Sequence, residues 1–161
     1  MKIIVVSDSH GKDEVLADVL QKYPNADAYI HCGDIETAPS TFPQLVSVSG
    51  TNDMFFDYPQ ERILELGGHR IYVVHSHQFV YSHRVESMAQ KAKELQCDIV
   101  CFGHTHVAFY EICEGVHVLN PGSLWRSRDG RGPSYAILNL EDKNVDVEFV
   151  FLPQKKSKFF W

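Results

Sequence analysis

Apolar residues arrive along this chain in short runs and helical rhythms, and most runs end in polar residues that could bind or react. Ile3, Ile4, Val5 and Val6 form a continuous stretch rich in β-branched residues, the pattern of a strand buried on both faces. From residue 13 to 23, Val15, Leu16, Val19, Leu20 and Tyr23 recur at helical spacing, and Pro24 ends the helix. Residues 28–31 and 45–49 read as two further strands, separated by a loop that holds Pro39 and Pro43. Residues 63–66 and 70–75 flank Gly67-Gly68, a hairpin pattern. Over residues 82–96, Val85, Met88, Ala89, Ala92 and Leu95 share one face, which predicts a helix. Strand patterns follow at 98–102, 107–112, 116–120, 135–140 and 145–152, with a Gly- and Arg-rich loop over 127–133. No repeat, low-complexity tract or linker divides the chain. Helices and strands alternate early and strands dominate late, so the expected class is α/β or α+β with a large mixed sheet.

Composition narrows the partners. A length of 161 residues suits a single domain, residues 1–161, and 44% apolar with 22% charged residues excludes wholesale disorder. Fifteen basic against twenty-one acidic residues give a net charge of −6, which offers no broad footprint for a nucleic-acid duplex or an anionic membrane. No apolar run is long enough to span a bilayer, and the start of the chain is not a signal peptide. Cys32, Cys97, Cys101 and Cys113 lack metal-knuckle spacing and read as buried thiols, so a cytoplasmic location is expected.

The candidate chemistry recurs at one kind of place. Asp8 and His10 follow the first strand run, and Asp34 follows the second within His-Cys-Gly-Asp. Gly50-Thr51-Asn52-Asp53 follows the third, His75-Ser76-His77 the fifth, and Gly103-His104-Thr105-His106 the sixth. Loops at strand carboxyl ends are where open α/β sheets build their sites. Carboxylates with imidazoles suit Mn²⁺, Fe, Zn²⁺, Ni²⁺ or Co²⁺. The ligand count exceeds what one catalytic zinc requires, whereas two metals sharing a carboxylate fit it. Such a pair, ~4 Å apart, can ionise a bridging water and clamp a phosphoryl group for in-line attack. Any one fragment is common in unrelated proteins; five at strand ends are much less so.

Together these motifs resemble the calcineurin-like metallophosphoesterases, which carry Asp-x-His, Gly-Asp, Gly-Asn-x-Asp or Gly-Asn-His-Glu, and Gly-His-x-His. Asn-Pro-Gly-Ser at 120–123 resembles the small bacterial and archaeal phosphodiesterases of that family, which lack a cap domain. The resemblance implies a four-layer αββα sandwich of two mixed sheets with two divalent ions, Mn²⁺ foremost, at one edge. It places Asp8, His10, Asp34 and His106 at the first ion, with Asp34 as the bridge that holds the attacking hydroxide. His75, His104 and an amide from the third loop fall to the second ion. Thr51 stands where the family has Asn, so Asn52 is expected to swing in and supply the amide.

The remaining candidates have competing readings. His77 is a general acid for the leaving oxygen or a prop for the His75 loop. Arg126, with Arg128 and Arg131, steadies a substrate phosphate or belongs to a solvated basic loop. His31 reads as a half-buried hydrogen-bonded residue, and His69, His83 and His117 as surface or edge positions. Phe159-Phe160-Trp161 reads as packing or a subunit contact, so a homo-oligomer is open. The expected function is hydrolysis of small phosphodiesters in an open site. Monoesters are disfavoured because the family's Gly-Asn-His-Glu acid is missing. The alternative is a protein-binding scaffold like the retromer subunit that shares the fold, and the displaced Asn52 is the feature that favours it.

Overall fold

The computed structural model describes residues 1–153; Phe159, Phe160 and Trp161 lie outside the described residues. In chain order the elements are β1 (Lys2–Val6), α1 (Asp13–Gln21), β2 (Ala28–His31), β3 (Leu45–Ser47), β4 (Glu61–Leu66) and β5 (His69–Val74). A 3-10 turn (Tyr81–His83), α2 (Arg84–Glu94), β6 (Ile99–Phe102), β7 (Ala108–Cys113), β8 (Val116–Pro121), β9 (Ser134–Glu141) and β10 (Asn144–Phe151) complete the described chain. The strands form two five-stranded sheets, ordered β10-β9-β1-β2-β3 and β4-β5-β6-β8-β7.

Alternation along the buried strands sets the layers. Ile3 and Val5 of β1 point between the sheets and meet Ile71, Val73, Ile99, Cys101 and Leu119 of the second sheet. Ile4 and Val6 point outward beneath Leu16, Val19 and Leu20 of α1. On the far side, Tyr72, Val74, Val100 and Phe102 lie beneath Met88, Ala89 and Ala92 of α2. The order is helix, sheet, sheet, helix. Because both faces of β1 and β6 are covered, their sequences show unbroken apolar runs where a half-exposed strand would alternate. Each fully buried Ile or Val contributes about 1.5–3 kcal/mol, so these central strands anchor the loops that leave them.

Parallel pairing decides where those loops go. β1 runs parallel to β2, with Val6 opposite His31, and β5 runs parallel to β6, with Val74 opposite Phe102. The carboxyl ends of all four strands emerge at the same edge of the sandwich.

Several elements differ from the sequence expectation. α1 stops at Gln21, because Lys22 and Tyr23 donate to carbonyls three residues back and the last turn tightens before Pro24. The second helix begins at Arg84, since Val80 is extended and Tyr81–His83 form the tighter turn. His69 is not a surface residue. It is buried, with Nδ1 2.5 Å from Asp98 Oδ2 and Nε2 2.7 Å from the Asp142 carbonyl, and it ties the second sheet to the β9–β10 turn of the first. His31 is fully buried rather than half-buried, with Nε2 2.9 Å from Ser9 Oγ. Cys32, Cys97 and Cys101 are buried free thiols, and Cys113 is half-buried. Among the described residues, no helix is long and apolar enough to cross a membrane.

Candidate metal centre

Three of the loops at this edge share one backbone device. Asp8 and His10 follow β1 with φ of 51° and 46°, Asp34 and Glu36 follow β2 with 57° and 56°, and His104 and His106 follow β6 with 72° and 60°. Left-handed backbone at a non-glycine residue costs about 1–3 kcal/mol, less for Asp and Asn, and persists only when its surroundings enforce it. The first two loops enforce each other. Asp8, His10 and Gly11 donate their N–H groups to the carbonyls of Gly33, Asp34 and Ile35 at 3.0, 2.9 and 3.0 Å, continuing the parallel ladder beyond the strands.

Buried side chains lock the rest. The Asp53 carboxylate accepts the N–H groups of Asp34 and Gly50 at Oδ2, both at 2.7 Å, and that of Glu36 at Oδ1, at 2.8 Å. Ser123 donates its hydroxyl to the Asp8 carbonyl at 2.7 Å and accepts the N–H groups of Trp125 and Arg126 at 3.0 Å. Asn120 donates to the Gly103 carbonyl at 3.2 Å and to Thr105 Oγ1 at 2.9 Å, fixing the loop of His104 and His106. The Asn-Pro-Gly-Ser stretch is thus a clamp on two of the loops. Gly33 and Gly103 permit the close approach. A Cβ on Gly33 would lie 2.5 Å from His75 Nδ1, and one on Gly103 would lie 2.6 Å from Asp8 Oδ2.

The side chains converge as two groups. Asp8, His10 and His106 bring one ligand atom each within 4.8 Å of one another, and so do Asp8, Asp34 and His75. Asp8 Oδ1 is 3.3 Å from His106 Nε2, 3.7 Å from His10 Nε2 and 3.9 Å from His75 Nε2. Asp34 Oδ2 is 3.2 Å from His75 Nε2 and 3.9 Å from His10 Nε2. The ring nitrogens are oriented from behind. His75 Nδ1 donates to the Cys32 carbonyl and His106 Nδ1 to the Arg126 carbonyl, both at 2.8 Å. In the neutral rings this leaves the Nε2 lone pairs aimed inward, the arrangement of imidazole ligands with a fixed tautomer. His10 Nε2 and His106 Nε2 face each other at 3.2 Å, while His10 Nδ1 lies 3.5 Å from Glu36 Oε1. Asp8 Oδ1 and His75 Nε2 are buried with no hydrogen-bond partner. Convergent acceptors of this kind fit divalent cations and are costly without one.

Electrostatics follow the same geometry. Burial alone would raise the Asp8 pKa, but His10, His106 and His75 outweigh it and hold the carboxyl well below the usual range. Burial would likewise raise Asp34, and the adjacent His75 brings it down. Burial would lower His75, yet Asp34 and Asp8 raise it. His104 is pushed down to about 4 by burial, with His75 adding to the effect, and burial also takes His31 to about 4. His77 is lowered by burial and then by His75.

The other candidates take distinct places. His104 reaches Asp8 Oδ2 through its backbone N–H at 3.0 Å, and its ring stands edge-on to His75 at 5.1 Å; it is outside both three-ligand groups. Thr51 donates its hydroxyl to Asp34 Oδ2 at 3.1 Å, whereas Asn52 reaches Asp34 Oδ1 through its backbone N–H at 2.8 Å. Thr51, Asn52 and His104 line a cleft of about 520 Å³ above the ligand groups, together with Lys12 and Arg128. His77 sits behind, 5.5 Å from His75 and 6.3 Å from His104 between ring centroids, with its Nδ1 buried and unpartnered. Arg126 does not line this cleft: its guanidinium lies 4.9 Å from the Trp125 ring and borders a neighbouring cavity. Arg131 is committed to Asp129, with Nε–Oδ2 at 2.6 Å.

Sequence reasoning missed Glu36, Asp53 and Trp125. Asp34-x-Glu36 repeats the spacing of Asp8-x-His10 and His104-x-His106 and could have flagged Glu36. Trp125, centred 5.0 Å from His10 and 6.2 Å from His106, left no signal beyond its type, whereas Asp53 stands at the Asp of the Gly-Asn-x-Asp pattern and was given no role.

Comparison with known proteins agrees with this architecture. Residues 1–143 match the model of the calcineurin-like phosphoesterase superfamily domain. The chain is 36% identical to the probable metallophosphoesterase YsnB of Bacillus subtilis, over 92% of this chain and 90% of the relative. A conserved uncharacterized protein of Streptococcus pneumoniae, a predicted phosphoesterase, superimposes with a TM-score of 0.86 at 31% identity, covering 93% of this chain and 88% of that one. An archaeal phosphodiesterase shares the fold with a TM-score of 0.73 at 24% identity, over 93% and 100% of the two chains. Vps29 of Entamoeba histolytica complexed with zinc shares it at 0.72 and 22%, over 93% and 98%.

Proposed function

The chain belongs to the calcineurin-like phosphoesterase superfamily, and on that footing we propose that it hydrolyses small phosphodiesters with two divalent ions at the strand-end cleft. The observation that carries this reading is the pair of ligand groups sharing Asp8, in which Asp8 Oδ1 and His75 Nε2 are buried without a hydrogen-bond partner. Asp8, His10 and His106 would hold one ion and His75 with His104 the other. Asp34, whose Oδ2 lies within reach of both His75 and His10, would span them. Asn52 is the proposed amide donor of the second ion. Ions bound there supply Lewis acidity and lower the pKa of a coordinated water. Carboxylate and imidazole donors without thiolate suit Mn²⁺ first, then Fe, Co²⁺, Ni²⁺ or Zn²⁺.

The chain's own residues do the rest. Lys12 and Arg128 line the cleft and give a phosphoryl anion cationic partners. His77 packs beside the rings of His75 and His104 and is absent from the cleft lining, which favours a role in holding the His75 loop over one as general acid. The free, mostly buried cysteines suit a reducing cytoplasm.

One observation favours a scaffold instead: the Thr51 hydroxyl, a poor metal donor, occupies the place beside Asp34. Elemental analysis of purified protein, paired with turnover of bis(p-nitrophenyl) phosphate in Mn²⁺, separates the two. About two ions per chain with turnover supports the hydrolase; no bound metal and no turnover refutes it and leaves the scaffold.

A further inference from the structure

The cleft above the ligand groups does not end at Trp125. A second cavity, about 600 Å³, opens on its other side, and Lys12 and Trp125 line both. Its walls are largely apolar, with Val15 from α1, Leu124, Pro133 and Leu152, while Lys12 and Arg126 stand at its rim. Leu124 is buried, so this floor is a fixed part of the packing between α1 and the first sheet.

We propose that this cavity is a substrate subsite that seats an aromatic ester group of the phosphodiester whose phosphorus lies over the ligand groups; the inference rests on the phosphodiesterase reading above. A phosphodiester carries two organic groups. The leaving one must face a proton source or solvent, and the retained one needs a seat within one bond of the phosphoryl oxygens. The adjoining cavity borders the cleft along Lys12 and Trp125, so an ester group that passes the edge of the exposed Trp125 ring enters it. Its volume falls within the roughly 300–1,000 Å³ of small-molecule sites, and an apolar interior with a few charged groups at the mouth is their usual chemistry.

The partition between the two spaces is built in register with the reacting centre. Ser123 receives the N–H groups of Trp125 and Arg126 at 3.0 Å, and the same hydroxyl donates to the Asp8 carbonyl at 2.7 Å. One residue therefore fixes both the main chain of Asp8 and the wall beside it. Trp125 leans on His10 at 5.0 Å, and the Arg126 guanidinium lies over its ring at 4.9 Å. Trp125 is 40% exposed, so these contacts bias the ring's position while part of it faces the cavity. The two rim cations also favour a ring that carries an anionic substituent. This gives Arg126 a place in substrate recognition one cavity away from the phosphoryl group.

Calorimetric titration of the full-length protein in Mn²⁺ with methyl phenyl phosphate and dimethyl phosphate tests the subsite. The phenyl ester should bind at least roughly tenfold more tightly, the discrimination one buried apolar group confers. Leu152→Trp, which fills the cavity from its far wall, should bring the ratio close to one, and Val15→Phe provides a second filling variant should the first fold poorly. A para-carboxylate on the ring should tighten binding by roughly threefold more, an increment that Arg126→Gln removes. The absence of a phenyl preference, or a preference that survives both filling variants, overturns the proposal. A preference without turnover of either ester's p-nitrophenyl analogue keeps the subsite and removes the phosphodiesterase reading.

Discussion

Asp53 offers the sharpest test of how the site is held, because it touches none of the proposed ions and yet carries the loops that do. Its carboxylate is fully buried and accepts three backbone N–H groups, two at Oδ2 and one at Oδ1. In Asp53→Asn the amide carbonyl is best placed where the N–H groups of Asp34 and Gly50 converge. Its NH₂ then confronts the N–H of Glu36, donor against donor. One charge-assisted hydrogen bond, worth about 1.5–3 kcal/mol, is lost, and the remaining two weaken because their acceptor is neutral. The expected destabilisation is about 2–4 kcal/mol, which for a chain of this size lowers Tm by on the order of 10 °C. With Asp34 and Glu36 less firmly positioned, Mn²⁺ affinity should fall ~10–100-fold, as it does when groups behind metal ligands are altered. Thermal unfolding by circular dichroism reads the first effect and calorimetric Mn²⁺ titration the second. An Asp53→Asn protein with wild-type Tm and wild-type metal affinity would refute the claim that this carboxylate organises the site.

Asp34→Asn should abolish diester turnover while the circular dichroism spectrum holds, and metal-free Tm should fall by a few degrees because His75 and the Asn52 N–H stabilise the ionised carboxylate; full turnover in the variant would remove Asp34 from the reaction. Glu36→Gln should weaken Mn²⁺ at the His10 side by roughly tenfold through a less firmly oriented ring, measured as one of two calorimetric steps. Gly103→Ala drives a methyl to within 2.6 Å of Asp8 Oδ2, so it should cost about 1–3 kcal/mol in urea unfolding and reduce bound metal in elemental analysis. Asn52→Ala should raise the Mn²⁺ needed for half-maximal turnover tens-fold if the amide is a ligand. A Thr51→Ala variant that shows this rise while Asn52→Ala does not would transfer the role to Thr51.

The strand framework was legible because the physics that forms it is written in local pattern. Two-faced burial leaves unbroken runs such as residues 3–6, and parallel neighbours send their loops to one edge, so residues far apart in sequence could be grouped from strand ends alone. What escaped the sequence depends on partners that carry no side-chain signature. Asp53 works on backbone N–H groups of residues 34, 36 and 50; the Gly-Asn-x-Asp pattern marks the position, but side-chain types alone do not reveal that its partners are main-chain groups. His69 finds Asp98 and the Asp142 carbonyl 29 and 73 residues away, and so its burial was invisible beside a glycine turn. Three arginines within six positions looked equivalent. The Ser123 turn sorts them, sending Arg126 over Trp125 and leaving Arg128 on the cleft. At Thr51 and Asn52 the chain supplies a hydroxyl and a main-chain N–H to Asp34, a division of labour that residue type alone does not reveal.

The left-handed backbone of the ligand loops also sets a direction for how such a protein can change over generations. Asp8, His10, Asp34, Glu36, His104 and His106 all occupy a conformation that glycine adopts without strain. Replacement by Gly relieves about 1 kcal/mol of backbone strain at each position. Selection for stability and selection for chemistry therefore pull against each other at the same codons. In a lineage released from its chemical duty, these loops should drift toward Gly and Asn before any buried strand residue changes. A thermostability screen run on this chain without an activity filter should empty the same positions first, returning a bare sandwich with both sheets intact.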